Sequence, residues 1–102
     1  MQRMPEIFEE LTPDFPNAAE AFQQLGDVLH SAGPLDERTR RLVKLGIAVG
    51  ASSEGGVRSQ ARKALSEGVS RAEIEHAILL SLTTAGLPAM IAALQWSREV
   101  PD

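Results

Sequence analysis

The chain has 102 residues, 43% of them hydrophobic and 24% charged, with a formal net charge of -4. That is the balance of one globular domain with a modest core, and its acidic total gives nucleic acid no bulk electrostatic reason to bind. With no cysteine at all, the chain can form no disulfide, no thiolate metal site and no thiol nucleophile.

Taken in order, Pro5 to Leu11 has the length of a short helix, interrupted by Thr12-Pro13 and Phe15-Pro16. No secretory signal is visible at the start, which makes cytoplasmic the expected location. A stronger helix is predicted from Pro16 or Asn17 to about Ser31, with Ala18, Phe22, Leu25 and Leu29 as its apolar stripe. Gly33-Pro34 stops it. Asp36 can cap the next helix, whose first turns carry Glu37, Arg38, Arg40 and Arg41 and whose apolar face is Leu42, Leu45 and Val49, with Val43 and Ile47 beside it. Gly46 and Gly50 on this helix each cost about 1 kcal/mol relative to alanine. Close approach of a neighbouring helix, or of a ligand, would compensate.

Ser52 or Ser53 can cap a fourth helix through Val57, Ala61, Ala64 and Leu65, which Gly68 is suited to end. Ser70-Arg71-Ala72-Glu73 is a capping box opening a fifth helix that carries Ile74, Ala77, Ile78, Leu79, Leu80 and Leu82. After Gly86-Leu87-Pro88 a last helix is predicted to end near Arg98. No stretch alternates with period two for long enough to make a strand. The fold class is all-α, a bundle of about six helices in one domain over residues 1–102. Ala77 to Leu82 and Ala89 to Leu94 are apolar around most of their circumference, yet too short to span a bilayer. They predict a homo-oligomer whose interfaces lie near these helices.

The segment Ser53-Glu54-Gly55-Gly56-Val57-Arg58-Ser59-Gln60 is the expected site, because small residues at a helix start let a ligand reach backbone N–H groups. Glu54, if buried, is the candidate acid/base; exposed, it simply favours the helix dipole. Arg58 and Arg62 share a face and could hold a carboxylate or phosphate, or pair with Glu54 or Glu67. Ser53 and Gln60 complete the substrate-binding set, although Ser53 needs no role beyond a cap. His76 is a second catalytic candidate, as a proton shuttle, or else a surface histidine. Thr83 and Thr84 could line a wall, and Trp96 reads as packing. Two histidines, His30 and His76, are too few for a metal site within one subunit, and no cofactor is expected. Arg38, Arg40, Arg41 and Lys44 keep a helix-turn-helix DNA binder as a minor alternative.

The order Leu35-Asp36-Glu37-Arg38-Thr39, Leu42-Val43-Lys44-Leu45, the Ser53–Gln60 turn, Ala61-Arg62-Lys63-Ala64-Leu65, Gly68-Val69-Ser70, and Glu73 to Leu80 before Gly86-Leu87-Pro88 resembles the carboxymuconolactone decarboxylase and alkylhydroperoxidase D family over residues of about 35–100. The resemblance implies an alkylhydroperoxidase D-like helical subunit, assembled as a homotrimer or homohexamer with pockets between subunits. Its redox members resemble thiol peroxidases, with a Cys-x-x-Cys pair that would fall at Ser53 and Gly56, a histidine at Gln60 and a glutamate at Arg41. All four differ here, and a serine hydroxyl cannot supply thiolate redox chemistry. The thiol-free decarboxylases tend to carry a histidine where Gln60 stands, and other thiol-free relatives carry histidines at Arg58 and Gln60. Glutamine is no base near neutral pH. The reading is therefore thiol-independent binding or turnover of a small organic molecule in an inter-subunit pocket; the alternative is a catalytically silent binding or scaffold protein.

Overall fold

The computed structural model describes residues 13–102, and the short helix expected over Pro5 to Leu11 lies outside them. Contacts divide the chain after Asp36 into two units. In the first, α1 spans Pro16–His30, with proline in the first turn where its missing N–H costs nothing. Its apolar stripe formed as predicted, but Phe22, Leu25 and Leu29 stay largely exposed, and Ala19 is the buried residue of the helix.

The second unit holds α2 (Glu37–Gly50), α3 (Glu54–Ser66), α4 (Arg71–Leu79), a 3₁₀ turn (Leu80–Thr83) and α5 (Leu87–Arg98). No strand occurs among the described residues, so the all-helical prediction holds. The core is Leu45 and Val49 from α2, Val57, Ala61 and Ala64 from α3, Ile74 and Ile78 from α4, and Met90 and Ala93 from α5. Val69 and Val100 close its edges, and Trp96 packs against it half-buried.

The junctions follow local chemistry. Ser52 sits at φ 52°, a left-handed conformation usually given to glycine, and ends α2. Its N–H bonds Val49 O at 2.9 Å, and the Ser53 N–H bonds Ala48 O at 3.0 Å. Gly68, at φ 88°, ends α3 in the same motif, with Val69 N–H on Ala64 O at 3.0 Å and both side chains buried. The capping box at α4 is complete: Ser70 Oγ accepts from Glu73 N–H and Glu73 accepts from Ser70 N–H. The fifth predicted helix changes character at its end, tightening into the 3₁₀ turn after Leu79. Ser81 O there accepts from the N–H groups of Thr84, Ala85 and Gly86.

Among the described residues no neighbouring helix closes on the two α2 glycines: a Cβ built on Gly46 or Gly50 would meet none of their atoms within 4 Å. Gly56 is the crowded one, its Cβ position lying 2.8 Å from Ser53 Oγ and 3.0 Å from Ala48 Cβ.

Candidate functional site

Arg41 lies four and eight residues before Leu45 and Val49, on the buried stripe of α2, and its side chain is wholly inaccessible. A guanidinium cannot lose its proton, so burial demands partners. Glu67, at the end of α3, supplies both carboxylate oxygens, at 3.0 Å from Nε and 2.9 Å from Nη2. Gln60 Oε1 accepts from Nη1 at 2.6 Å, and Glu37 stands 3.6 Å from Nη2. Gln60 is thus fixed as an acceptor for arginine. In the sequence Arg41 stands as a helix-opening cation, as one of the cations of the DNA-binder alternative and at the position of the relatives' glutamate, while Glu67 is offered to other arginines. The signal that finds the pair is the spacing of Arg41 to Leu45 and Val49.

Ser53 is fully used as a hinge between helices, its N–H closing α2 and its Oγ accepting from Gly56 N–H at 3.0 Å to open α3. Glu54 is more than half exposed and accepts from Arg58 Nε at 3.0 Å. Arg58 also donates to Glu99 beyond the end of α5. That bond is the first cause raising the Arg58 pKa, and it holds the Glu99 carboxyl below the usual range. The expected site residues therefore separate: Ser53 caps, Glu54 and Arg58 pair with each other and with Glu99, and Gln60 serves Arg41. The burial on which an acid/base Glu54 depended is absent.

His76 stands apart from all of these, exposed on α4. It faces a groove of about 690 Å³ between α2 and α4 with the 3₁₀ turn, walled by Leu42, Val43, Ile47, Ala77 and Leu80. Thr39, Glu73, Ser81 and Thr84 bring polar atoms to its rim, and Gly46 leaves its floor open. Ser81 Oγ is already committed to Ile78 O at 2.6 Å, and Thr84 Oγ1 donates to Ser81 O. Glu73 is held down to a pKa of about 2, first by the Ser70 N–H and then by Arg38, whose Nη1 lies 2.6 Å away and ties α2 to α4. His76 brings to this rim an imidazole, which can both donate and accept a hydrogen bond. The sequence placed His76 and Thr84 but not the α2 wall opposite, because Gly46 and Val43 were read as packing. Among the described residues no group of three or more His, Asp or Glu side chains is placed to hold a metal ion. None of the described helices is long and apolar enough to cross a membrane.

Comparison with known proteins agrees with this architecture. The chain is similar over 95 residues, at 30% identity, to the uncharacterized protein MJ1511 of Methanocaldococcus jannaschii, covering 93% of this chain and 89% of that one. It is also similar, at 27% identity over 82 residues and 79% of each chain, to the uncharacterized protein MJ0742 of the same organism. The model of the carboxymuconolactone decarboxylase family matches residues 16–99, which takes in α1 as well as the four-helix unit. With the fold, the helix order and this match in agreement, the chain belongs to the carboxymuconolactone decarboxylase family.

Proposed function

We propose that this protein is a cytoplasmic homo-oligomer that binds a small, largely apolar organic molecule in the α2/α4 groove, with His76 as the proton-transferring group if the molecule is transformed. The observation that carries the reading is the groove itself: an apolar trough of about 690 Å³ with the His76 imidazole on its rim. Gly46 supports it, because a mid-helix glycine costs about 1 kcal/mol, no described residue fills the space of its missing Cβ, and an occupant that needs that space would offset the cost. A second copy would wall the open side, where Val43, Ile47 and Leu80 are exposed. The chemistry is thiol-independent, since the chain has no cysteine and Arg41, Ser53, Gly56 and Gln60 stand at the positions of the family's redox groups.

The test is native mass spectrometry of freshly purified protein beside the Gly46→Leu variant, with His76→Gln alongside. A trimer or hexamer carrying a reproducible small mass, lost on filling the groove with leucine and retained with glutamine, is the expected outcome. A ligand mass that survives Gly46→Leu would place the site elsewhere. The second reading, a silent scaffold, is favoured by one specific fact: Ser53, Glu54, Arg58 and Gln60 are all engaged in bonds within the subunit. A ligand-free oligomer under every condition would select it.

A further inference from the structure

The polar groups of the α2/α4 groove are unequal in what they offer a ligand. Glu73, His76 and Leu80 follow one another at spacings of three and four, so polar rim and apolar wall share one side of α4 and the turn after it. Val43 and Ile47, four apart on α2, add only hydrocarbon. The Ser81 hydroxyl donates its one proton to Ile78 O at 2.6 Å, and that of Thr84 donates to Ser81 O at 3.3 Å. A hydroxyl carries one donor and two acceptor lone pairs, so both line the groove with their protons spent and lone pairs left over.

Glu73 is an acceptor as well. Its Oε1 takes the Ser70 N–H, and both of its oxygens take Arg38 Nη1. The Ser70 N–H first, and then Arg38, hold it ionised down to a pKa of about 2, and an ionised carboxylate can only accept. No lysine or arginine is among the described residues that line the groove, and the Arg38 guanidinium is directed onto Glu73. His76 donates or accepts as its neighbour requires. A molecule in the groove therefore meets acceptors at Glu73, Ser81 and Thr84, with a negative charge at the first of them. A ligand carboxylate would set two more acceptors and a like charge beside Glu73, with no cation of the lining to answer it. A ligand hydroxyl brings the proton that these lone pairs lack.

We infer that the groove selects an uncharged apolar molecule whose polar end is a hydroxyl donor, a phenol or an alcohol, and rejects the carboxylate of the same skeleton. This selectivity rests on the groove being the binding site, and it narrows the occupant from any small apolar molecule to one that carries a donor.

Amide NMR titration of the whole protein at neutral pH tests this with four compounds on one skeleton: para-ethylphenol, para-ethylbenzyl alcohol, para-ethylanisole and para-ethylbenzoate. The better of the two hydroxyl compounds should bind about 10-fold more tightly than the ether, which has no donor, and than the ionised benzoate. Which hydroxyl compound binds better distinguishes a phenol from an alcohol. The amide signals that move should be those of Val43, Gly46, Ile47, Ala77 and Leu80, and Gly46→Leu should abolish binding. If circular dichroism shows that Gly46→Leu does not fold, the shifted amides of the parent protein locate the site instead. Ether or benzoate binding at these signals as tightly as the better hydroxyl compound overturns the donor selectivity and leaves the groove as the site. Shifts confined to other residues, or no saturable binding by any of the four, overturn the groove reading and the selectivity with it.

Discussion

Arg41 shows how much one residue can decide. At the place where redox relatives would carry a glutamate, this chain puts a wholly buried cation and assembles Glu67 and Gln60 around it. Such a pair contributes little net stability against a hydrophobic replacement, because desolvation of both charges opposes their attraction. Breaking it is another matter. Glu67→Ala leaves a buried guanidinium without its bidentate partner and should cost about 3 kcal/mol, the low end of the range, since Glu67 reaches solvent along one side. The double variant Arg41→Met, Glu67→Leu should recover most of that loss in urea unfolding. If the double variant falls by the sum of the two singles, the pair is not a coupled unit. Gly56 makes the same point from the other direction. Any side chain there meets Ser53 Oγ and Ala48 Cβ, so a second cysteine at that position would need this backbone to shift.

At the scale of elements, α4 is fixed by its first turn. Glu73 closes the capping box on Ser70 and also reaches Arg38 on α2, so one carboxylate both starts a helix and ties it to its neighbour. Its folded pKa of about 2 lies below the ordinary 4.5, so the ionised form is favoured by folding. That contribution is present in full above about pH 4.5 and drains away as pH falls through about 2. Glu73→Gln should therefore flatten the stability-against-pH curve over this window relative to the parent protein, leaving the slopes owed to Glu75 and Glu99 in place. Equal slopes in the two proteins would mean that Glu73 titrates alike folded and unfolded. The capping box and the Gly68 stop were legible in the sequence because both are local, written in residues a few positions apart. The 3₁₀ turn after Leu79 was not, since its apolar run fits either helix, and what marks it is the Ser81 carbonyl gathering three N–H groups. The site was less legible still. Glu54, Arg58 and Gln60 have the right chemistry for binding, but their partners Glu99 and Arg41 come from other helices, and sequence spacing carries no information about such distant pairs.

For the whole molecule, the question is what covers the surface that the second unit leaves apolar. Its core draws on every helix of the unit, while Leu79, Leu80, Leu82, Leu87 and Ile91 remain exposed. The two apolar runs divide: Ile78, Met90 and Ala93 face inward with Leu94 packed against them, and Leu79, Leu80, Leu82 and Ile91 face out. Leu87 and Ile91 are four apart and so form a ridge on α5 away from the α2/α4 groove. A small domain with this much exposed hydrocarbon gains by association, and a self-complementary ridge would offer a place for it. Light scattering on the eluting protein should accordingly give three or six times the 11.0 kDa subunit mass. Leu87→Glu with Ile91→Glu places two carboxylates in the contact and should return a single subunit that melts at lower temperature. Because association stabilises by mass action, the parent's melting point should rise with protein concentration, and the variant's should not. A parent protein that already elutes as one subunit would remove both the ridge contact and the closed groove at once. An oligomer that survives both charges would leave the groove intact and move the contact to the Val43 and Ile47 face or to α1.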